Sequence, residues 1–320
     1  MFHVLQKRGN LNEERFHSDT IPICDYEGSD YRARFWGDQG RTYEDLAERI
    51  AIRHLLPPTG GRLLEIGTGF GRLVDLYQGY GQILLLDYSV SMLREAQEHL
   101  GRGAKYTYVA ADLYRMPFAD ALVDAACMVR VMHHVANVSG ALRQIHRVIR
   151  PGGIYLLEFA SKLHLKSILR YAVRRQNWNP FVEAPVEFAE LNFDFHPRWM
   201  RDRLCASGFA IERVRTVSRF RIPVLKRLVP ARVLAALDGA LQWVGGLWQL
   251  TPSAFVLARR EGGSPPRPAL SNGLLPAEQL FRCPSCAAQQ WEVSQTALQC
   301  RSCGARWPIE DGIYNFKAAL

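Results

Sequence analysis

Leu63–Leu73 reads LLEIGTGFGRL: an apolar strand that runs into a Gly-x-Gly-x-Gly turn, with a helix to follow. Glycines there let the backbone approach a ligand closely, beyond the carboxyl end of a strand where open parallel sheets bind their ligands. A dinucleotide fingerprint would place its third glycine at position 72, which is Arg72. Glu65 stands just before the loop, and a carboxylate suits a cationic group better than a pyrophosphate. Gly67, Thr68, Gly69 and Gly71 form the candidate loop. Asp87 ends the next apolar run 22 residues after Glu65, the place of an acid that accepts from two ribose hydroxyls. Tyr88 could lie against a purine. Asp112 ends a third run and could accept from an adenine amino group. Three acids and no phosphate cradle imply an adenosine compound carrying positive charge, for which S-adenosylmethionine is the obvious candidate. The plainer reading is that the glycines tighten a turn and the acids cap helices.

Parallel strands are needed to bring those acids together. Apolar runs at Arg62–Ile66, Gln82–Asp87, Tyr106–Ala111, Asp124–Val129 and Gly153–Phe159 alternate with helical spacing over Tyr43–Leu56, Ser91–Leu100 and Gly140–Ile149. Such alternation predicts right-handed crossovers with helices on both faces. Phe209–Val217 and Ala254–Arg259 would complete the sheet, with a helix at Arg198–Ala206 between the fifth strand and the sixth. The expected fold class is α/β, a doubly wound seven-stranded Rossmann-like sheet. Its domain would span residues 1–260, with insertions at 161–197 and 218–252. A Pro, Gly and Ser-rich linker would follow at 261–277, and then a small C-terminal segment, 278–320.

Taken in order, LLEIGTGFGRL, LLLDYS (Leu84–Ser89), AADLYRMPF (Ala110–Phe118), VMHHV (Val131–Val135) and IHRVIRPGG (Ile145–Gly153) give the stretch from about 40 to 160 its likeness. It resembles a class I S-adenosylmethionine-dependent methyltransferase of the ubiquinone/menaquinone methyltransferase kind. The resemblance implies that Glu65, Gly67 and Gly69 meet the methionine end and that Asp87 holds the ribose. It also implies that Asp112 and Leu113 face the adenine, with Arg130 at the cofactor's edge.

Methyl transfer to carbon, nitrogen or oxygen needs alignment and exclusion of water, and a base only where the nucleophile must lose a proton. His133 and His134 follow the fourth strand; His133 is the candidate catalytic base, and packing of the turn is the alternative. Tyr31, Phe35 and Trp36 could close the pocket. Arg41 could clamp the cofactor carboxylate or pair with Glu44 or Asp45.

Cys283-Pro-Ser-Cys286 and Cys300-Arg-Ser-Cys303 have the spacing of two zinc knuckles, whose four thiolates make a closed structural site. A redox pair is the rival reading. The run WPIEDGI (Trp307–Ile313) makes the tail resemble the small zinc-ribbon activator of tRNA, rRNA and protein methyltransferases. In that family the ribbon is a separate chain; here it is fused. The likeness implies that the ribbon docks on the catalytic domain.

The chain has 320 residues, 48% hydrophobic and 22% charged, a globular balance that excludes a disordered tail. Seven cysteines, three of them scattered, argue against a disulfide scaffold and for a reducing, cytoplasmic setting. The opening ten residues lack the apolar core of a secretory leader, and Val233–Leu250 is too interrupted to make a spanning helix, so no transmembrane segment is expected. Residues 162–235 hold 15 Lys and Arg against six Asp and Glu, so the chain's whole +9 excess resides there. Lys162, Lys166, Arg170 and Arg174 recur every four residues and would make one cationic helix face, for phosphates, an anionic lipid surface or plain solvent. A small or lipophilic acceptor is favoured, with possible peripheral membrane contact. RNA is the alternative, and a non-catalytic binding scaffold is the reading of another class.

Overall fold

The computed structural model describes residues 21–28, 41–246, 249–262 and 273–320. Tyr31, Phe35 and Trp36 therefore lie outside the described residues.

All seven expected strands form: β1 (Gly60–Ile66), β2 (Tyr80–Asp87), β3 (Tyr106–Ala110), β4 (Val123–Met128), β5 (Ile149–Ala160), then Phe209–Val217 and Ser253–Arg260. The last two are β8 and β9, because a short hairpin in the first insertion supplies β6 (Val186–Ala189) and β7 (Asn192–Asp194). The order β3-β2-β1-β4-β5-β9-β8 is parallel from β3 to β5, with β9 antiparallel to both neighbours. Strand order reverses at β1, which opens a crevice at the carboxyl ends of β1 and β4.

Side chains alternate across these strands, and both sides are buried. Leu64, Ile66, Leu84 and Leu86 enter one core; Leu63, Ile83 and Leu85 enter the other. That is why the strands read as continuous apolar runs. Helices α1 (Thr42–Leu55) and α2 (Val90–Leu100) cover the second core, and α3 (Val138–Val148) covers the first. Caps fix two of the starts: Ser89 accepts from the Met92 N–H at 3.2 Å, and Asn137 from the Gly140 N–H at 2.7 Å.

The insertions depart from expectation in one respect. Helix α4 covers only Leu165–Ala172, so Lys166 and Arg170 sit on it while Lys162 precedes it and Arg174 follows it with φ +56°. Lys162 is buried and donates to the Ala184 carbonyl at 2.7 Å. The four-residue cation period is therefore not one helix face. Helix α5 (Pro197–Ala206) comes next. The second insertion forms α6 (Pro223–Leu228) and α7 (Ala231–Leu241), and α7 packs on α1 near Ile50 and Ala47. Among the described residues no helix is long and apolar enough to cross a membrane.

The sheet does not stop at seven strands. The C-terminal segment adds a short helix, α8 (Ala277–Leu280), and a meander of β10 (Trp291–Val293), β11 (Ala297–Cys300), β12 (Arg306–Glu310) and β13 (Ile313–Asn315). Strand β13 runs parallel to β3, pairing Ile313 with Tyr108, Tyr314 with Val109 and Asn315 with Ala110, so one sheet of 11 strands results. The Asp311-Gly312 turn, with φ +52° and +82°, folds β13 back on β12. The expected seven-stranded sheet is thus enlarged because β3 would otherwise present an unpaired edge. Phe281, fully buried, lies against Phe118, Tyr314 and Phe316, so the segment shares the first core.

A shared core predicts shared stability. Phe281→Ala is expected to cost about 3–5 kcal/mol in a single cooperative urea transition. A separate early transition confined to the C-terminal tryptophans would contradict this.

Candidate functional site

The glycine loop is held at the crevice by main-chain bonds. The Gly67 and Thr68 N–H groups donate to the Leu86 carbonyl at 2.8 and 3.0 Å. Gly67 has φ +71°, and a Cβ there would sit 2.1 Å from Val131 Cγ2, so no side chain fits. Gly69, φ +54°, would point a Cβ into open space, where a ligand can come against the backbone. Gly71 turns toward Leu100 of α2 and shapes the loop without lining a cavity.

Asp87 closes the loop from β2. Its Oδ2 accepts from the Gly69 N–H at 2.7 Å and its Oδ1 from the Ser89 N–H at 2.9 Å. Burial raises its pKa, and the N–H bonds pull the other way. Asp112 caps a 3₁₀ turn at Leu113–Arg115, accepting from the Tyr114 N–H at 2.8 Å. A cavity of about 140 Å³ is lined by Gly67, Gly69, Asp87, Tyr88, Asp112, Leu113 and Arg130, with Ile23, Cys24 and Tyr26 reaching over it. Glu27 anchors that N-terminal stretch by accepting from the Val90 and Ser91 N–H groups at the start of α2. From the other side, Lys317 Nζ stands 4.2 Å from the centre of the Tyr88 ring.

A second recess, about 50 Å³, joins Glu65, Thr68, Gly69, Arg72 and Arg130. Two buried glutamates here behave oppositely. Burial alone would raise Glu48, but Arg130 and Arg72 outweigh it and hold the carboxyl below its ordinary range. Glu65 is buried too, and burial pushes it up to about 8, which Arg72, Tyr77 and Thr68 only partly offset. A carboxyl in that state gains from a cation brought to it.

A third cavity, about 390 Å³, shares Tyr26, Arg130 and His134 with the first. Arg41, His133, Glu158, Ser161, His164, Asp194 and Arg221 also line it. Arg130 sits between the cavities with φ +61°, a strained backbone fixed by its N–H to Glu158 Oε2 at 2.8 Å. His134 Nδ1 is 2.8 Å from the Leu191 carbonyl, so it carries the proton, and Nε2 accepts from the Tyr26 hydroxyl at 3.0 Å. Burial, with His134, Arg130 and Arg41 nearby, pushes His133 down to about 3, which keeps it neutral and a weak proton acceptor. Burial raises Asp194 to about 6, with Lys162 opposing.

So the structure brings Gly67, Thr68, Gly69, Glu65, Asp87, Tyr88, Asp112, Leu113 and Arg130 around two adjoining recesses, and His133 onto the neighbouring one. Arg41 falls on that neighbouring cavity, away from the glycine loop. Sequence reasoning missed Tyr26, Glu48 and Asp194. None belongs to a motif; the acid pairing of Glu48 could have been sought from Arg72, which stands where a dinucleotide loop has glycine.

The four cysteine sulfurs lie within 4.8 Å of one another, and none is in a disulfide. Cys283 and Cys303 Sγ are 3.7 Å apart, Cys286 and Cys300 Sγ 3.5 Å. A tetrahedron with ~2.3 Å zinc–sulfur bonds sets its corners about 3.8 Å apart, so this donor set could hold such an ion.

Residues 64–157 match the family described as the methyltransferase domain. Over this stretch the chain is similar to class I methyltransferases. An uncharacterized chloroplastic methyltransferase of Arabidopsis thaliana is 33% identical over 156 residues, covering 46% of this chain and 43% of that protein. A ubiquinone/menaquinone biosynthesis C-methyltransferase of Pseudomonas savastanoi pv. phaseolicola is 32% identical over 123 residues, 36% of this chain and 48% of that one. The chain thus spans less than half the length of either relative. Among solved structures, a chain of the Haloferax volcanii complex between the Trm112 methyltransferase activator and a candidate methyltransferase superposes with TM-score 0.50. It has 15% identity over 73% of this chain and 96% of that one, a likeness of fold. The three carboxylates Glu65, Asp87 and Asp112 fit a ligand with a cationic end and a nucleoside end.

The raised Glu65 gives a pH signature. A cation stabilises the carboxylate, so binding near neutral pH releases a proton, and affinity climbs with pH until about 8, by up to about tenfold per unit. Calorimetry of S-adenosylmethionine binding in buffers of different ionisation enthalpy reads that proton. Glu65→Gln should abolish the release and weaken binding; unchanged release in the variant would assign the proton elsewhere.

Proposed function

We propose that this chain transfers a methyl group from S-adenosylmethionine to a small, lipophilic acceptor seated in the cavity of about 390 Å³. The observation that carries the reading is the contact of that cavity with the carboxylate-lined cleft at Tyr26, Arg130 and His134. When bound, the cofactor supplies an electrophilic methyl on a good leaving group. Glu65 would hold the methionine end, Asp87 the ribose, and Asp112 with Leu113 the adenine. Tyr26, oriented by His134, and Arg130 stand where the two ligands meet and keep water out. The quinone C-methyltransferase similarity supports a lipophilic acceptor.

Asp194 is the better base in this reading. Its pKa near 6 leaves it ionised at neutral pH and basic enough to take a proton, whereas His133 is too weak. The test is transfer of labelled methyl from S-adenosylmethionine into a cell lipid extract, followed by mass spectrometry of the product. Asp194→Asn should lower kcat on the order of 10²-fold and remove a rising limb near pH 6, with cofactor affinity kept. Retained activity and an unchanged pH profile would dismiss Asp194.

We infer a structural zinc on Cys283, Cys286, Cys300 and Cys303. The ribbon, 278–320, would then act as a built-in counterpart of a separate activator, reached through the linker 261–277 from the catalytic domain 1–260. The Haloferax volcanii complex, whose description names such an activator beside a methyltransferase, supports this. Purified protein should hold one zinc per chain, and chelation should lower Tm and weaken S-adenosylmethionine binding. Full cofactor affinity in metal-free protein would refute the coupling.

A further inference from the structure

Helix α4 is built the wrong way round for a free surface helix. Leu165, Leu169 and Val173, four residues apart, are 56%, 56% and 62% exposed, while Ser167 on the opposite side is buried. Apolar stripes ordinarily face the core. Lys166, Arg170 and Arg174 follow one residue behind each and are exposed as well.

The second insertion repeats the pattern. Ile222, Val224 and Leu228 on and before α6 are 53%, 63% and 77% exposed, with Arg221 and Arg227 exposed among them. The two insertions meet: the Leu165 N–H donates to the Leu250 carbonyl at 3.1 Å, and His164 and Arg221 line the same large cavity. Of the seventeen large hydrophobics exposed among the described residues, fourteen fall within 165–188 and 222–243. Apolar exposure is therefore gathered on the two insertions, which also supply His164, Phe188 and Arg221 to this cavity, and not scattered.

Charge selects the occupant. Residues 162–182 and 219–237 together hold ten Lys and Arg and no Asp or Glu. Lys162 is buried, Asp238 pairs with Arg219, and Glu44 pairs with Arg221 and Lys226, which leaves Lys166, Arg170, Arg174, Arg175, Arg227 and Arg232 exposed; Glu183 pairs with Arg198. A second copy seated on this face would oppose like charges, and an RNA backbone would leave the leucines uncovered. An interface with apolar interior and anionic surface satisfies both sets of side chains.

We propose that the exposed faces of α4 and α6 dock on an anionic lipid bilayer, placing the mouth of the acceptor cavity at the membrane surface. The inference rests on the methyl-transfer reading for its purpose, since a lipophilic acceptor partitions into that bilayer. The docking itself is read without methyl donor, so either idea can fail alone.

The test is co-sedimentation of the full chain with vesicles of phosphatidylcholine, and of phosphatidylcholine with about one third phosphatidylglycerol. Binding should be at least tenfold tighter to the anionic vesicles and weaken with salt. The double variant L169E/L228E and the double variant K166E/R170E should each lose it at least tenfold, with thermal stability and S-adenosylmethionine affinity unchanged. No vesicle binding by the parent protein, or equal binding by both stably folded variants, overturns the proposal. So does self-association, or tRNA retention, that the variants abolish while vesicles are ignored.

Discussion

A carboxyl buried beyond the reach of a full counter-charge is the constraint on which this structure turns. Glu48 and Glu65 are both taken from water within the same corner of the fold. Glu48 receives two guanidiniums and stays ionised; Glu65 does not, and its proton is held up to about 8. Desolvation of an unpaired charge is expensive, so a protein keeps such a group where a ligand completes it. The ion pairs around Glu48 also fix Arg72 and Arg130, and Arg130 in turn stands between the glycine-loop cleft and the larger cavity. The chemistry of the site is thus arranged by what one glutamate has and its neighbour lacks.

The second organising feature is the edge at β3. An open parallel edge exposes main-chain donors and acceptors, and here β13 satisfies them. The same strand that closes the edge runs toward the ends of β2 and β3, where Asp87 and Asp112 stand. Phe316 donates its N–H to the Ala110 carbonyl at 2.7 Å, and Lys317 reaches Tyr88. The four-cysteine segment and the cleft beside Tyr88 are therefore two ends of one continuous hydrogen-bonded structure.

The two insertions do a different job. They build walls of the larger cavity from Ser161, His164, Asp194 and Arg221, and Phe195 bridges back to the end of β5. Phe193, Phe195, Leu234 and Ala235 pack into the cores, while leucine and valine on α4 and α6 face outward.

The sequence by itself determined the seven central strands, the glycine loop and the acids Glu65, Asp87 and Asp112, because local periodicity and short motifs encode each of them. Two knuckles of cysteine were equally legible, since their ligands are close in the chain. Only the tertiary structure decided that the ribbon extends the sheet, because strand pairing at β3 joins residues some 200 positions apart. It also decided which acid near Arg72 is neutralised, that burial lowers the pKa of His133, and that Asp194 faces the larger cavity. Those are matters of desolvation and of which charges meet in space, and a linear sequence carries neither.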